Sequence, residues 1–155
     1  ADLCAVVMQS GLCNVCLITA HMTVVRAKIE MSIPRKRVSG KAHDKAMAQF
    51  YEAIMTAVIK HINWNVVKCV VLASPGFIKD DFFAYLIAEA TKRDVKNVLS
   101  NRGKFLLAHS STGYTTAIKE VLADPTVSAR VANTKAHNET KSLNRFFEMM
   151  NTDAD

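Results

Sequence analysis

Apolar and polar residues alternate with period two across residues 23–32. Thr23, Val25, Ala27, Ile29 and Met31 fall on one face; Val24, Arg26, Lys28, Glu30 and Ser32 fall on the other. That pattern predicts a half-buried strand. Two apolar runs precede it, at residues 3–9 and 12–19, divided by the turn signal Ser10-Gly11. Ala20-His21 supplies a second tight connection, so the first third of the chain reads as an antiparallel meander of three strands. Pro34 ends the third strand because it has no N–H for the ladder. From about residue 42 to 62 the spacing becomes i, i+3, i+4. Ala46, Met47, Phe50, Tyr51, Ile54, Met55, Val58, Ile59 and Ile62 make the apolar stripe of a long amphipathic helix.

Residues 66–73 are nearly all apolar and predict a central strand covered on both faces. Ser74 and Pro75 then suit the N-cap and first position of a helix, with Asp80 and Asp81 near its positive end and Phe82, Phe83, Leu86 and Ile87 turned inward. A further strand is expected at residues 104–109. Shorter helices follow at 116–122 and 126–131, and a last helix at 135–150 carries Leu143, Phe146, Phe147 and Met150. The order β-β-β-α-β-α-β-α implies an α/β domain: a five-stranded mixed sheet, built from the meander plus two strands, with helices on its faces in an RNase H-like layout. The 155 residues suit a single domain, residues 1–155. A start at Ala1 without a signal peptide reads as a fragment of a longer intracellular, cytoplasmic protein. No apolar run reaches the roughly 18 residues of a membrane span.

Charge changes the picture at two places. The chain carries a net +6, and residues 26–45 alone hold a local +5 while residues 92–104 hold +4. Two basic clusters on a near-neutral remainder point to an anionic partner. The first cluster is the loop at residues 34–41, with Arg35, Lys36, Arg37 and Lys41. No aromatic residue interleaves with it, so contact with phosphate or an acidic surface is expected rather than base stacking. The Ser74-Pro75-Gly76 turn, at the carboxyl end of a central strand, is a second candidate for binding, although a plain helix cap explains it equally well.

Other chemistry is poorly served. Cys13 and Cys16 have CxxC spacing, but on a strand their thiols point to opposite faces and no second ligand pair accompanies them. Cys4 and Cys69 join them as reduced core residues. A metal-dependent endoribonuclease on an RNase H-like fold is the alternative, yet it needs clustered carboxylates at strand ends. Asp2 stands at the start of the first strand, Glu30 lies on the exposed face of the third, and Asp80 and Asp81 suit a helix terminus. Ser110-Ser111-Thr112-Gly113 lacks both the GxSxG and the P-loop spacing and reads as a loop. Neither a metal nor a cofactor is called for.

The ordered segments AKIEMSIPRKR, HDKAMAQFYEAI, VVKCVVLASPGF, NRGKFLLAHSSTG, LADPTV and NTKA together resemble the central domain of the Pelota family of ribosome-rescue factors, related to the eukaryotic class-1 release factor. The resemblance runs from about residue 5 to 150. It implies an α/β domain flanked, in a complete protein, by an Sm-like domain and a domain like a ribosomal RNA-binding protein. It also implies a non-enzymatic role. The factor enters the empty A site of a stalled ribosome with an elongation-factor-like GTPase, promotes subunit dissociation and feeds no-go and nonstop mRNA decay. Release factors carry Gly-Gly-Gln in the equivalent loop; here that loop has one glycine and no glutamine, which argues against peptide release. By the resemblance, Arg35, Lys36 and Arg37 together with Pro75, Gly76 and Phe77 dock the GTPase, and the basic loop also meets ribosomal RNA.

Overall fold

The computed structural model describes residues 2–134; the helix expected at residues 135–150 lies outside them. Strands β1 (Asp2–Gln9), β2 (Leu12–Ile18) and β3 (Thr23–Glu30) form the meander, followed by α1 (Gly40–His61), β4 (Val67–Ser74), α2 (Ile78–Arg93), α3 (Lys96–Ser100), β5 (Phe105–His109), α4 (Ile118–Ala123) and α5 (Pro125–Thr134). The sheet order is β3-β2-β1-β4-β5. β2 is antiparallel to β1 and β3, whereas β4 is parallel to both β1 and β5. This is the expected five-stranded mixed sheet, with an additional short helix, α3, that periodicity over five residues cannot reveal.

Period-two alternation in β1 and β4 sorts their side chains into two cores. Cys4, Val6, Met8, Val70 and Leu72 pack with Phe50, Ile54, Met55 and Val58 of α1 and with Phe82, Leu86 and Ala90 of α2. Leu3, Ala5, Val7, Val71 and Ala73 face Ile118, Val121 and Leu122 of α4 and Val127 and Val131 of α5. Helices therefore cover both faces, which is why β1 from Leu3 to Met8 and β4 from Cys69 to Ala73 are apolar. Cys13 belongs to the first core and Cys16 to the second, so the CxxC pair is split by the sheet. Burial raises the Cys16 and Cys69 thiols to about 11 and the Cys4 and Cys13 thiols further still, consistent with packing residues.

The alternation in β3 is broken. Val15 pairs with Ala27 but Cys16 pairs with Val25, so Arg26 is an extra residue and the register shifts there. The bulge turns Val25 outward, 48% exposed, and half-buries Val24 instead. Ala27, Ile29 and Met31 keep the expected inward face. A bulge with Arg26, Lys28 and Glu30 on an edge strand also blunts pairing with another chain. Ile59, expected in the α1 stripe, is likewise exposed, and Ala57 is buried in its place.

Polar contacts fasten α1 to α2. Arg93 donates to both Glu52 carboxylate oxygens at 2.8 Å, Tyr85 donates its hydroxyl to Glu52 Oε2 at 2.6 Å, and Arg93 also reaches Glu89 at 2.7 Å. The hydrogen bonds from Arg93 and then Tyr85 lower the Glu52 carboxyl from 4.5 to about 2. A folded-state value below the unfolded one adds stability that is full above 4.5 and lost as pH falls toward 2. Glu52→Gln is therefore expected to lower the urea midpoint near neutral pH and to match the parent chain more closely at about pH 3; an equal deficit at both pH values would refute this.

Candidate docking surface

β1, β3, β4 and β5 run in one direction, so their carboxyl ends share one edge of the sheet. Four connections leave that edge: the Ser10-Gly11 turn, the basic loop, the Pro75-Gly76-Phe77 turn and the segment from Ser110 to Tyr114. This is where open α/β sheets bind ligands.

The basic loop is short because the helix starts early. α1 begins at Gly40 with Ser39 as N-cap, its hydroxyl accepting from the Ala42 N–H at 3.2 Å. Lys41 is thus a first-turn helical residue rather than part of the loop. The first turn contains no acidic residue, leaving its positive end uncompensated. The loop is folded by Val38 and Ser39 N–H groups donating to the Arg35 carbonyl at 3.0 and 3.2 Å, and by His43 Nδ1 donating to the Pro34 carbonyl at 2.8 Å. Arg35, Lys36, Arg37 and Lys41 are exposed. Their side chains have no ion pair or hydrogen bond to the described residues.

Ser74 does not cap α2 in the expected position. It is the last residue of β4, and Phe77 occupies the N-cap. Its buried hydroxyl nevertheless accepts from the Lys79 N–H at 2.9 Å, doing a cap's work from before the turn. Gly76 bends the chain with a left-handed φ of 57°, which glycine adopts without the Cβ penalty. Lys79 Nζ donates to the Gly76 carbonyl at 2.6 Å. The result is a braced turn that holds Phe77 outward, 78% exposed.

A groove of about 710 Å³ lies between α1 and α2; the basic loop contributes Lys36 to it, whereas Pro75, Gly76 and Phe77 do not line it. Lys36, His43 and Asp44 line one side, Ile78 and Asp81 the other, and Tyr51 lies between. Burial first, then the nearby Asp81 charge, raises the Tyr51 phenol to about 12. Val38, within the basic loop, is 77% exposed and gives that loop an apolar tip comparable to Phe77. Sequence reasoning passed over Val38; a β-branched residue amid charges and outside any periodic stripe was its signal.

The remaining candidates are absorbed by the fold. Gln9 Oε1 accepts from the Gly113 N–H at 2.9 Å and Asn14 Nδ2 donates to the Gly113 carbonyl at 2.8 Å. Ser110 is buried, its hydroxyl donating to the Thr112 carbonyl, so the hydroxyl-rich segment is a clasp on the β1–β2 hairpin. The second basic cluster is partly consumed internally. Arg93 holds Glu52 and Glu89, and Lys104 Nζ donates to the Trp64 and Val67 carbonyls at 2.7 and 3.2 Å. Among the carboxylates weighed for a metal-dependent nuclease, Asp2 lies at the opposite end of β1, and Glu30 pairs with Lys28 at 3.1 Å. Among the described residues, no group of three histidine, cysteine or acidic side chains is placed to hold a metal ion. Nor, among them, is any helix long and apolar enough to cross a membrane.

The family model for eRF1 domain 2 matches residues 2–134. The chain is 51% identical over 156 aligned residues to the pelota homolog of Danio rerio, covering all of this chain and 40% of that protein. It is 51% identical to the pelota protein of Drosophila melanogaster, covering 97% of this chain and 38% of that one. Among solved structures, S. cerevisiae Dom34 superposes with a TM-score of 0.74 at 33% identity, over 97% of this chain and 40% of Dom34. Dom34 is a translation termination-like factor involved in RNA quality control pathways and interacting with Hbs1. The chain spans about 40% of the length of these relatives.

Proposed function

The chain belongs to the eRF1 domain 2 family, with the Pelota proteins as its relatives, and from that premise we propose that it is the non-catalytic docking domain of a Pelota-type ribosome-rescue factor. In this reading the 155 residues are one cytoplasmic domain of a longer protein whose flanking domains complete it. Its partner is an elongation-factor-like translational GTPase, the position that Hbs1 holds for Dom34. The complex recognises stalled ribosomes, promotes subunit dissociation and feeds no-go and nonstop mRNA decay. Ribosomal RNA of the A site is the second partner of the basic loop.

The observation that supports the reading is that the exposed basic loop and the braced Pro75-Gly76-Phe77 turn leave the same carboxyl edge of the sheet, on either side of a groove lined by Lys36 and by Ile78, the first residue of α2. Arg35 and Arg37 present guanidinium forks suited to carboxylates or phosphates. Phe77 and Val38 present apolar tips that become anchors once desolvated. Peptide release is not part of the reading, because the loop has no Gly-Gly-Gln and Gln49 belongs to α1.

The test changes Arg35, Lys36 and Arg37 together to Ala in the full-length factor. Binding to the GTPase and to ribosomes is expected to fall at least about tenfold and to lose much of its salt dependence. The far-UV spectrum and melting temperature should be retained, because none of the three side chains has an internal partner among the described residues. Undiminished binding would remove the loop from the interface. Metal-dependent RNA cleavage by the purified domain, abolished by changing a carboxylate, would instead favour the nuclease.

A further inference from the structure

Arg35-Lys36-Arg37 is the chain's single run of three consecutive basic residues, and it ends two positions before a serine, Ser39. We propose that Ser39 is a phosphorylation site for a basophilic protein kinase, and that the phosphate masks the basic loop.

Kinases that select by charge read basic side chains on the amino-terminal side of the acceptor with acidic residues of their own cleft. Here Arg35, Lys36 and Arg37 occupy the fourth, third and second positions before the hydroxyl, and all three are exposed. Together with Val38, also exposed, they can enter such a cleft without breaking an internal ion pair with any described residue. Ser39 itself is held lightly. Its hydroxyl accepts one hydrogen bond, from Ala42, and its N–H donates to Arg35 within the loop. Opening the loop into the extended form a kinase needs therefore breaks a few exposed bonds and disturbs neither core. Other serines lack this setting: Ser74 and Ser110 are buried, and Ser32 follows Ile29, Glu30 and Met31.

In the transfer, Ser39 Oγ forms a bond to the γ-phosphorus of ATP as the bond from that phosphorus to the ADP oxygen breaks. The hydroxyl proton passes to the kinase's catalytic carboxylate and ADP leaves. The phosphate carries about two negative charges, half of the positive charge on Arg35, Lys36, Arg37 and Lys41. It would stand at the start of α1, where the first turn has no acidic residue and its N–H groups favour an anion. The basic side chains that the docking reading assigns to an external partner would thereby gain an internal one. Masking rests on that reading; the modification does not.

The experiment incubates the full chain with ATP and the catalytic subunit of a cAMP-dependent kinase, then maps the phosphate by peptide mass spectrometry. One phosphoryl group on Ser39 is expected, none on that peptide in Ser39→Ala, and an initial rate about tenfold lower in Lys36→Ala/Arg37→Ala. Phosphate confined to other residues, or an undiminished rate in the double variant, would overturn the site. Masking is read on immobilised heparin, a polyanion. The phosphorylated chain should elute at lower salt, and phosphatase treatment should restore the original position. Unchanged elution would overturn the masking and leave the GTPase-docking reading to the triple-alanine test.

Discussion

Gly11→Ala is expected to destabilise the domain by about 4 kcal/mol, as the sum of backbone strain and a steric clash. The turn between β1 and β2 needs a left-handed φ of 81° at this position, which is costly for any residue with a Cβ. An added Cβ would also stand 2.3 Å from the Met31 carbonyl oxygen. That neighbour is backbone and cannot rotate away. It is moreover fixed to the same turn, because the Met31 N–H donates to the Gly11 carbonyl at 2.8 Å. Relief requires β3's exit to move, and the basic loop begins a few residues later. Loss of stability and misplacement of Arg35 should therefore appear together. Gly40→Ala is the control: nothing lies within 4 Å of its Cβ and its φ is not left-handed, so stability should stay within about 1 kcal/mol of the parent. Equal urea midpoints for Gly11→Ala and the parent would refute the argument.

The contrast between these glycines shows what a sequence can and cannot reveal. Ser10-Gly11 reads as a turn from two adjacent letters, but the Met31 contact that makes Gly11 irreplaceable joins residues far apart in the chain. The same division runs through the fold. The β1 and β4 runs were legible because burial on both faces leaves residues 3–8 and 69–73 apolar. The α1 stripe was legible because five turns of periodicity outweigh any single exception such as Ile59. The β3 bulge was not, because an extra residue in a strand leaves a sequence that still alternates, and only pairing with β2 shifts the register. Ser74 was misplaced for a related reason. Its hydroxyl bonds the helix as a cap would, but the left-handed Gly76 lengthens the turn before α2 starts. Both candidate docking motifs were visible as charge and as a Pro-Gly turn, whereas their placement on one edge of the sheet depends on strand order and direction. The second basic cluster had the same charge signature as the first. What distinguishes them is the presence of Glu52, Glu89 and buried-end carbonyls beside one and not the other.

Phe77→Ala is expected to weaken association with the proposed GTPase partner by about 2 kcal/mol, roughly 30-fold, while leaving folding intact. The reasoning turns on two phenylalanines in the same stretch. Phe82, on the inner face of α2, is fully buried in the first core, and its truncation to Ala should cost about 3–5 kcal/mol of stability. Phe77 belongs to neither core and exposes 78% of its surface, so the fold gains little from it. Its turn is nevertheless braced on several sides, by the Ser74 hydroxyl on Lys79 and by Lys79 Nζ on the Gly76 carbonyl. A large apolar ring held outward by a rigid turn loses little entropy on binding and can fill a partner's pocket. Thermal melts and binding titrations on the two variants separate the roles. Phe82→Ala should lower the melting temperature, whereas Phe77→Ala should keep it and lose affinity. If Phe77→Ala melts early as well, the ring is structural and its docking role fails. If it keeps both stability and affinity, the contact rests on Arg35, Lys36 and Arg37 without an aromatic anchor.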